Sequence, residues 1–227
     1  MFSPLQDVGA MRYPLPPVDD NGDYKPGVMQ RLGWLFNYIG LQDKLVDYFY
    51  TSDKSPGFQY FNGIRAHIGD QNSFNASALG VNQSYIAAGT SAIVEDVINP
   101  FAEALYDDLA NHTTTGWEKM LSVDAHSTRS YMTFAYTPSE SLGIPEESLS
   151  TTVVNWLETF DKSTGWYDRG LTETVLEAIA FGQADDGTVD WKCIEWVCIF
   201  SSCRSHADDV IVYSAEDRMS FPMLWLR

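Results

Sequence analysis

Phe58-Gln59-Tyr60-Phe61-Asn62-Gly63-Ile64-Arg65-Ala66-His67-Ile68 is the stretch on which the fold turns. Two short runs rich in aromatic and branched residues flank Asn-Gly, the pair that most readily takes the positive φ angles of a two-residue hairpin turn. The spacing predicts an antiparallel pair, Phe58–Phe61 against Ile64–Ile68, with His67 on the polar face of the second strand. Outward from this hairpin the period changes. Towards the N-terminus, Val28, Leu32, Leu35, Phe36 and Ile39 recur at helical steps and Gly40 stands where a helix-ending glycine belongs. Leu41 to Tyr50 then leads towards a strand, and residues 14–26, with Pro14, Pro16, Pro17, Gly22 and Pro26, read as loop.

On the other side, 69–83 reads as loop and 84–111 as helix, with Ile93, Val97, Phe101, Leu105 and Leu109 four residues apart. Pro100 is expected to kink this helix or to split it after Ile98. Residues 113–121, 127–134, 149–160 and 172–181 read as further helices, the last with Val175, Leu176 and Ile179 on one face, and 137–148 as loop. No internal repeat is visible. The fold class that follows is α+β, mostly helical, with a small antiparallel sheet.

Composition narrows the partners. Of 227 residues, 44% are hydrophobic and 14% aromatic, enough for a packed core. The formal charge of −17 repels phosphate backbones and argues against a nucleic-acid partner. Pairs such as Asp107-Asp108, Asp185-Asp186 and Asp208-Asp209 read as solvated faces or turns. No apolar run reaches membrane-spanning length. Met1-Phe2-Ser3-Pro4 has neither the basic start nor the apolar run of a secretory leader, and the compartment stays open. Asn75, Asn82 and Asn111 head glycosylation sequons by pattern, as chance also gives in a chain rich in Asn, Ser and Thr.

The candidate binding residues lie near the start, in Val8-Gly9-Ala10-Met11-Arg12-Tyr13-Pro14. Gly9 and Ala10 let another molecule approach the backbone, and the prolines after Arg12 stiffen the loop that carries it. A guanidinium matches a carboxylate or phosphate with two parallel bonds. An exposed arginine in a Pro-rich leader is the plainer alternative. At the other end, Cys193, Cys198, Cys203 and His206 are four nominal metal ligands, but structural zinc sites use tighter paired spacing and the intervening Trp196, Ile199 and Phe200 suit buried packing; no metal is expected. None of His67, His112, His126 and His206 stands out as a catalytic base. A non-catalytic binding or scaffold domain is the competing reading, with Trp34, Trp117, Trp156 and Trp166 as a recognition surface.

Gly9-Ala10-Met11-Arg12-Tyr13-Pro14 resembles the Gly-(Ala/Pro)-Met-Arg-x-Pro loop of the flavin-containing amine oxidases, in their L-amino-acid-oxidase-like branch. The aromatic hairpin, Asn155-Trp156-Leu157-Glu158 and Thr164-Gly165-Trp166-Tyr167 follow in that family's order, so the resemblance runs from about Asp7 to Cys193. It implies FAD, a small amino-acid substrate, oxidative deamination with O2 as acceptor, and release of H2O2. It places Arg12 on the substrate carboxylate and Gly9, Ala10, Met11 and Arg12 along the flavin edge. It assigns 1–193 to a partial substrate-binding region, with the flavin-edge loop at 7–17 and a helical insert at about 84–181, and leaves 194–227 as a divergent tail, with homo-oligomerisation possible. The family binds FAD through a strand, a Gly-rich turn and a helix, and this sequence contains no G-x-G. The chain therefore reads as the substrate-side portion of an oxidase, as a truncated gene would give, and by itself is expected to hold no FAD and to be inactive.

Overall fold

At the hairpin, Asn62 and Gly63 both take positive φ, 52° and 78°. They fold β3 (Phe58–Phe61) back on β4 (Ile64–His67), with Phe58 opposite His67 and Phe61 opposite Ile64. The turn is tied down by Asn62 Nδ2, which donates to the Phe74 carbonyl at 2.8 Å, and by the Phe61 and Phe74 rings meeting edge to face at 5.2 Å. His67 is exposed, as the alternation predicts.

The structure is a computed structural model describing residues 12–48, 57–68, 70, 72–161, 164–181 and 190–194. These fall into two units, 12–74 with 190–194, and 75–181. The first holds the hairpin and a second, three-stranded sheet in the order β1-β5-β2, where β1 is Tyr13–Leu15, β2 Leu45–Asp47 and β5 Asp190–Ile194. Both outer strands run antiparallel to β5, and Tyr13 and Asp47 face Lys192 from opposite sides. Pro14 and Leu15, expected in a loop, are therefore strand residues. Proline lacks an N–H and is tolerated in a strand with one unpaired side, which the outer position of β1 provides.

Helix α1 (Gln30–Tyr38) covers one face of this sheet. Phe36 joins Leu15 and Tyr24 in a buried cluster, with Tyr13, Leu32, Leu41 and Leu45 packed round it. The helix ends as Gly40 predicts. Gly40 takes φ 70°, its N–H donates to the Asn37 carbonyl at 3.2 Å, and the Leu41 N–H reaches back to Phe36 at 2.9 Å. This αL ending satisfies carbonyls that the helix leaves over. Leu35 and Ile39, expected on the inner face, are about half exposed, beside exposed Trp34 and Tyr38.

The second unit is helical: α2 (Gln83–Ala88), α3 (Thr90–Asn111), α4 (Thr115–Leu121), α5 (Thr128–Phe134), α6 (Thr151–Asp161) and α7 (Leu171–Ala180). The long helix does not split at Pro100. The break falls eleven residues earlier, at Gly89, whose φ of 85° suits only glycine, and α3 runs through Pro100. Burial of Ile93, Val97, Phe101 and Leu105 offsets the one backbone bond that proline removes. Leu109 and Leu176, expected on inner faces, are exposed. Helices α4, α6 and α7 all pack on α3. α4 comes closest at Gly116, where a Cβ would stand 2.1 Å from the Ala104 carbonyl oxygen.

Candidate functional site

Strand alternation sorts the three-stranded sheet into two faces. Tyr13, Leu15, Leu45, Asp47 and Lys192 share the face under α1, where the Tyr13 and Phe36 rings meet edge to face at 4.9 Å and Lys192 Nζ pairs with Asp47 at 2.5 Å. Continued one residue beyond each outer strand, the alternation puts Arg12 and Tyr48 on the opposite face. The observed contact agrees: the Arg12 guanidinium carbon lies 5.9 Å from the centre of the Tyr48 ring, and both residues are half-buried. Arg12 therefore leaves the core side and is carried by a sheet edge, not by a loose leader. Gly9, Ala10 and Met11 lie outside the described residues.

In the helical unit, Asn155 and Glu158 of one motif and Asp168, the residue after the other, converge on the side chain of Arg129. Its guanidinium donates to Asn155 Oδ1 at 2.6 Å, to Glu158 Oε2 at 2.7 Å and to Asp168 Oδ1 at 2.7 Å. Glu158 is 3% exposed, and its other oxygen accepts the Gly165 and Tyr167 N–H groups at 3.0 and 2.8 Å. Glu158 thus ties the Asn155–Glu158 stretch of α6 to the Thr164–Tyr167 turn. Burial works to lower the Arg129 pKa, but bonds to Asp168 and Glu158 prevail and keep it raised. Burial first, then the Asp161 carboxylate at 2.9 Å, pushes the Tyr167 phenol well above its ordinary value. Composition does not mark Arg129; its spacing from the two motifs carries no local signal. The bonds named here are internal to the helical unit and hold α5, α6 and the 164–168 turn together.

A second polar cluster joins α3 to the 137–148 loop. Asp96 accepts from Tyr136 Oη at 2.5 Å, from the Ser139 N–H at 3.0 Å and from Ser139 Oγ. Burial raises the Asp96 pKa, but these hydrogen bonds outweigh it and hold it low, while burial and Asp96 push the Tyr136 phenol up. Asp108, expected on a solvated face, caps α4 by accepting from the Trp117 N–H at 2.7 Å. Asn82 likewise caps α2 through Ser84 N–H at 3.1 Å, and Asn111 Nδ2 donates to the Asp107 carbonyl at 3.0 Å. His126 Nδ1 lies 3.2 Å from Ser130 Oγ, and His112 ends α3. Cys198, Cys203 and His206, like the rest of the tail beyond 194, lie outside the described residues. Among the described residues no group of three or more His, Cys, Asp or Glu could hold a metal. The four tryptophans do not make one surface: Trp156 is buried, with its Nε1 lacking an acceptor among the described residues, whereas Trp34, Trp117 and Trp166 are exposed.

Comparison with known proteins agrees with the sequence pattern. The chain is 65% identical over 189 residues to L-amino-acid oxidase 4 of Hebeloma cylindrosporum, covering 83% of this chain and 30% of that protein. It is 41% identical over 145 residues to a cytotoxic L-amino-acid oxidase of Amanita phalloides, covering 58% of this chain and all of that sequence. A putative bifunctional amine oxidase of Dictyostelium discoideum is 28% identical over 200 residues, 83% of this chain and 16% of that protein. No family model matches the chain. The chain belongs to the flavin-containing amine oxidase family, in its L-amino-acid-oxidase branch. It spans about a third of the length of the Hebeloma relative.

FAD is the cofactor of this family. The described residues do not fit its dinucleotide cradle: neither strand-to-helix connection among them, 16–29 after β1 or 68–82 after β4, carries a G-x-G turn. Among the described residues, no helix is long and apolar enough to cross a membrane.

Proposed function

We propose that this chain supplies the substrate side of an FAD-dependent L-amino-acid oxidase, with Arg12 gripping the carboxylate of the amino acid. The observation that carries this reading is the 65% identity over 189 residues to a protein named for that activity. On this reading, residues 1–193 are the substrate-binding region. The 7–17 segment, which runs into β1, passes the flavin edge with the backbone of Gly9, Ala10 and Met11, and the insert at about 84–181 walls the side-chain pocket. Residues 194–227 are a divergent tail. The described residues are assigned recognition and no redox step.

Arg12 suits the task physically. Its fork of donors matches a carboxylate with two parallel bonds, and β1 fixes the backbone immediately after it. The reading of four tryptophans as one recognition surface is the weaker one, since Trp156 is buried. In the flavin-loaded oxidase that carries this chain, Arg12→Lys is expected to raise KM for an L-amino acid by roughly one to two powers of ten, as loss of a charge-assisted bond should. Flavin absorbance should be unchanged. An unaltered KM in that variant would remove Arg12 from carboxylate recognition.

A further inference from the structure

The same sheet face carries a second residue that matters to Arg12. Arg12 precedes β1 and Tyr48 follows β2, the two outer strands, so their contact links the edges of the sheet across β5. The register fixes the relation. Tyr13 and Asp47 both face Lys192, so Arg12 extends past one end of that row and Tyr48 past the other. The two side chains lean towards each other from opposite edges to bring the guanidinium carbon 5.9 Å from the ring centre. That distance is at the outer reach of cation–π attraction. Among the described residues, other cations stand over rings as well, Arg65 over Phe58 at 3.7 Å, Arg169 over Trp166 at 4.4 Å and Lys119 over Phe101 at 5.2 Å. Each of those pairs lies within a hairpin, a single turn or a helix pair remote in sequence from the 7–17 loop. Of these four contacts, the one with Tyr48 involves the residue proposed to meet substrate.

We infer that Tyr48 is a positioning residue for the substrate carboxylate, acting through Arg12; this rests on the reading of Arg12 given above. Attraction to a π face needs no acceptor lone pair, so it can coexist on one guanidinium with a two-pronged grip on a carboxylate. A long arginine side chain must also be ordered before it can bind, and every rotamer removed in advance lowers that cost. The ring performs both functions, attraction and confinement, and the phenol hydroxyl is not required for either. Tyr48 touches the ligand at no point in this scheme. Its effect should therefore reach ligands that carry a carboxylate and no others.

The test uses the flavin-loaded oxidase that carries this chain and, as probe, whichever of the twenty L-amino acids it turns over fastest. The amine that lacks that amino acid's carboxylate serves as a competing ligand. Tyr48→Leu is expected to raise KM roughly two- to fivefold, the range of an exposed cation–π contact, with kcat unchanged and the inhibition constant of the amine unchanged. Tyr48→Phe should behave as the parent protein does. Equal weakening of both ligands would mean general damage to the fold, and an impaired phenylalanine variant would mean that the hydroxyl matters; either overturns the inference, as does an unmoved KM in Tyr48→Leu. Tyr48→Gln gives the same comparison should leucine there prevent folding. Arg12→Lys run alongside separates the two levels. If it raises KM while the Tyr48 variants do not, Tyr48 alone loses its role; if it too leaves KM unmoved, or no amino acid is oxidised, the reading of Arg12 fails and the inference falls with it.

Discussion

Glu158 shows how a single buried charge can tie together the elements of a helical unit. One carboxylate oxygen takes two backbone N–H groups and the other takes Arg129, so all its partners are fixed and it is 3% exposed. A buried carboxylate without such partners would be costly. Glu158→Gln turns one of those oxygens into a donor facing the donors of Arg129. It is expected to lower the unfolding free energy by about 1.5–3 kcal/mol, the worth of a charge-assisted bond, read as a fall in the urea midpoint at constant slope. A midpoint within error of the parent would mean that the carboxylate is replaceable. Glu158 and Tyr167 were visible in sequence as parts of two motifs, but the bond between those motifs was not. Nor was Arg129 visible, since an arginine 26 residues before one motif and 35 before the other has no spacing signal.

At the scale of elements, local rules succeeded wherever one bond or one dihedral decides the outcome. Asn62-Gly63 turns the hairpin, Gly40 ends α1, and the faces of α3 and α7 bury Ile93, Val97, Val175 and Ile179. They failed where burial competes with propensity. Pro100 stays inside α3 because the apolar face around it is buried, and the break moves to Gly89. The sheet of β1, β5 and β2 was hidden because its central strand arrives more than 140 residues after its neighbour β2, and each outer strand has only three residues. Helix packing leads to a prediction at this scale. Gly116 allows α4 to lie directly on the backbone of α3, and a methyl group there would meet the Ala104 carbonyl oxygen at 2.1 Å. Backbone cannot swing aside as a side chain can. Gly116→Ala is therefore expected to destabilise the helical unit by about 1–3 kcal/mol or more despite alanine's better helix propensity, measured as a drop in thermal midpoint. A rise in that midpoint would show that the helices are not held so close.

For the molecule as a whole, family membership was legible because it rests on the order of several weak motifs rather than on any one of them. The hairpin lies in the first unit, and the Asn155–Glu158 and Thr164–Tyr167 stretches lie in the second. The candidate site was legible only in part. Arg12 stood out through its loop, while Tyr48, one residue beyond a three-residue strand, becomes relevant only when register puts it on the face of Arg12. The central claim is that this chain carries the substrate-recognising part of an L-amino-acid oxidase, and an exchange of segments tests it most directly. The 189 matching residues of the Hebeloma cylindrosporum oxidase, 65% identical, are replaced by those of this chain, and peroxide release is measured with each of the twenty L-amino acids. The account predicts a flavin-containing protein that releases peroxide from at least one L-amino acid and loses affinity for it on Arg12→Lys. A folded, flavin-containing exchange protein that oxidises none of them would contradict it.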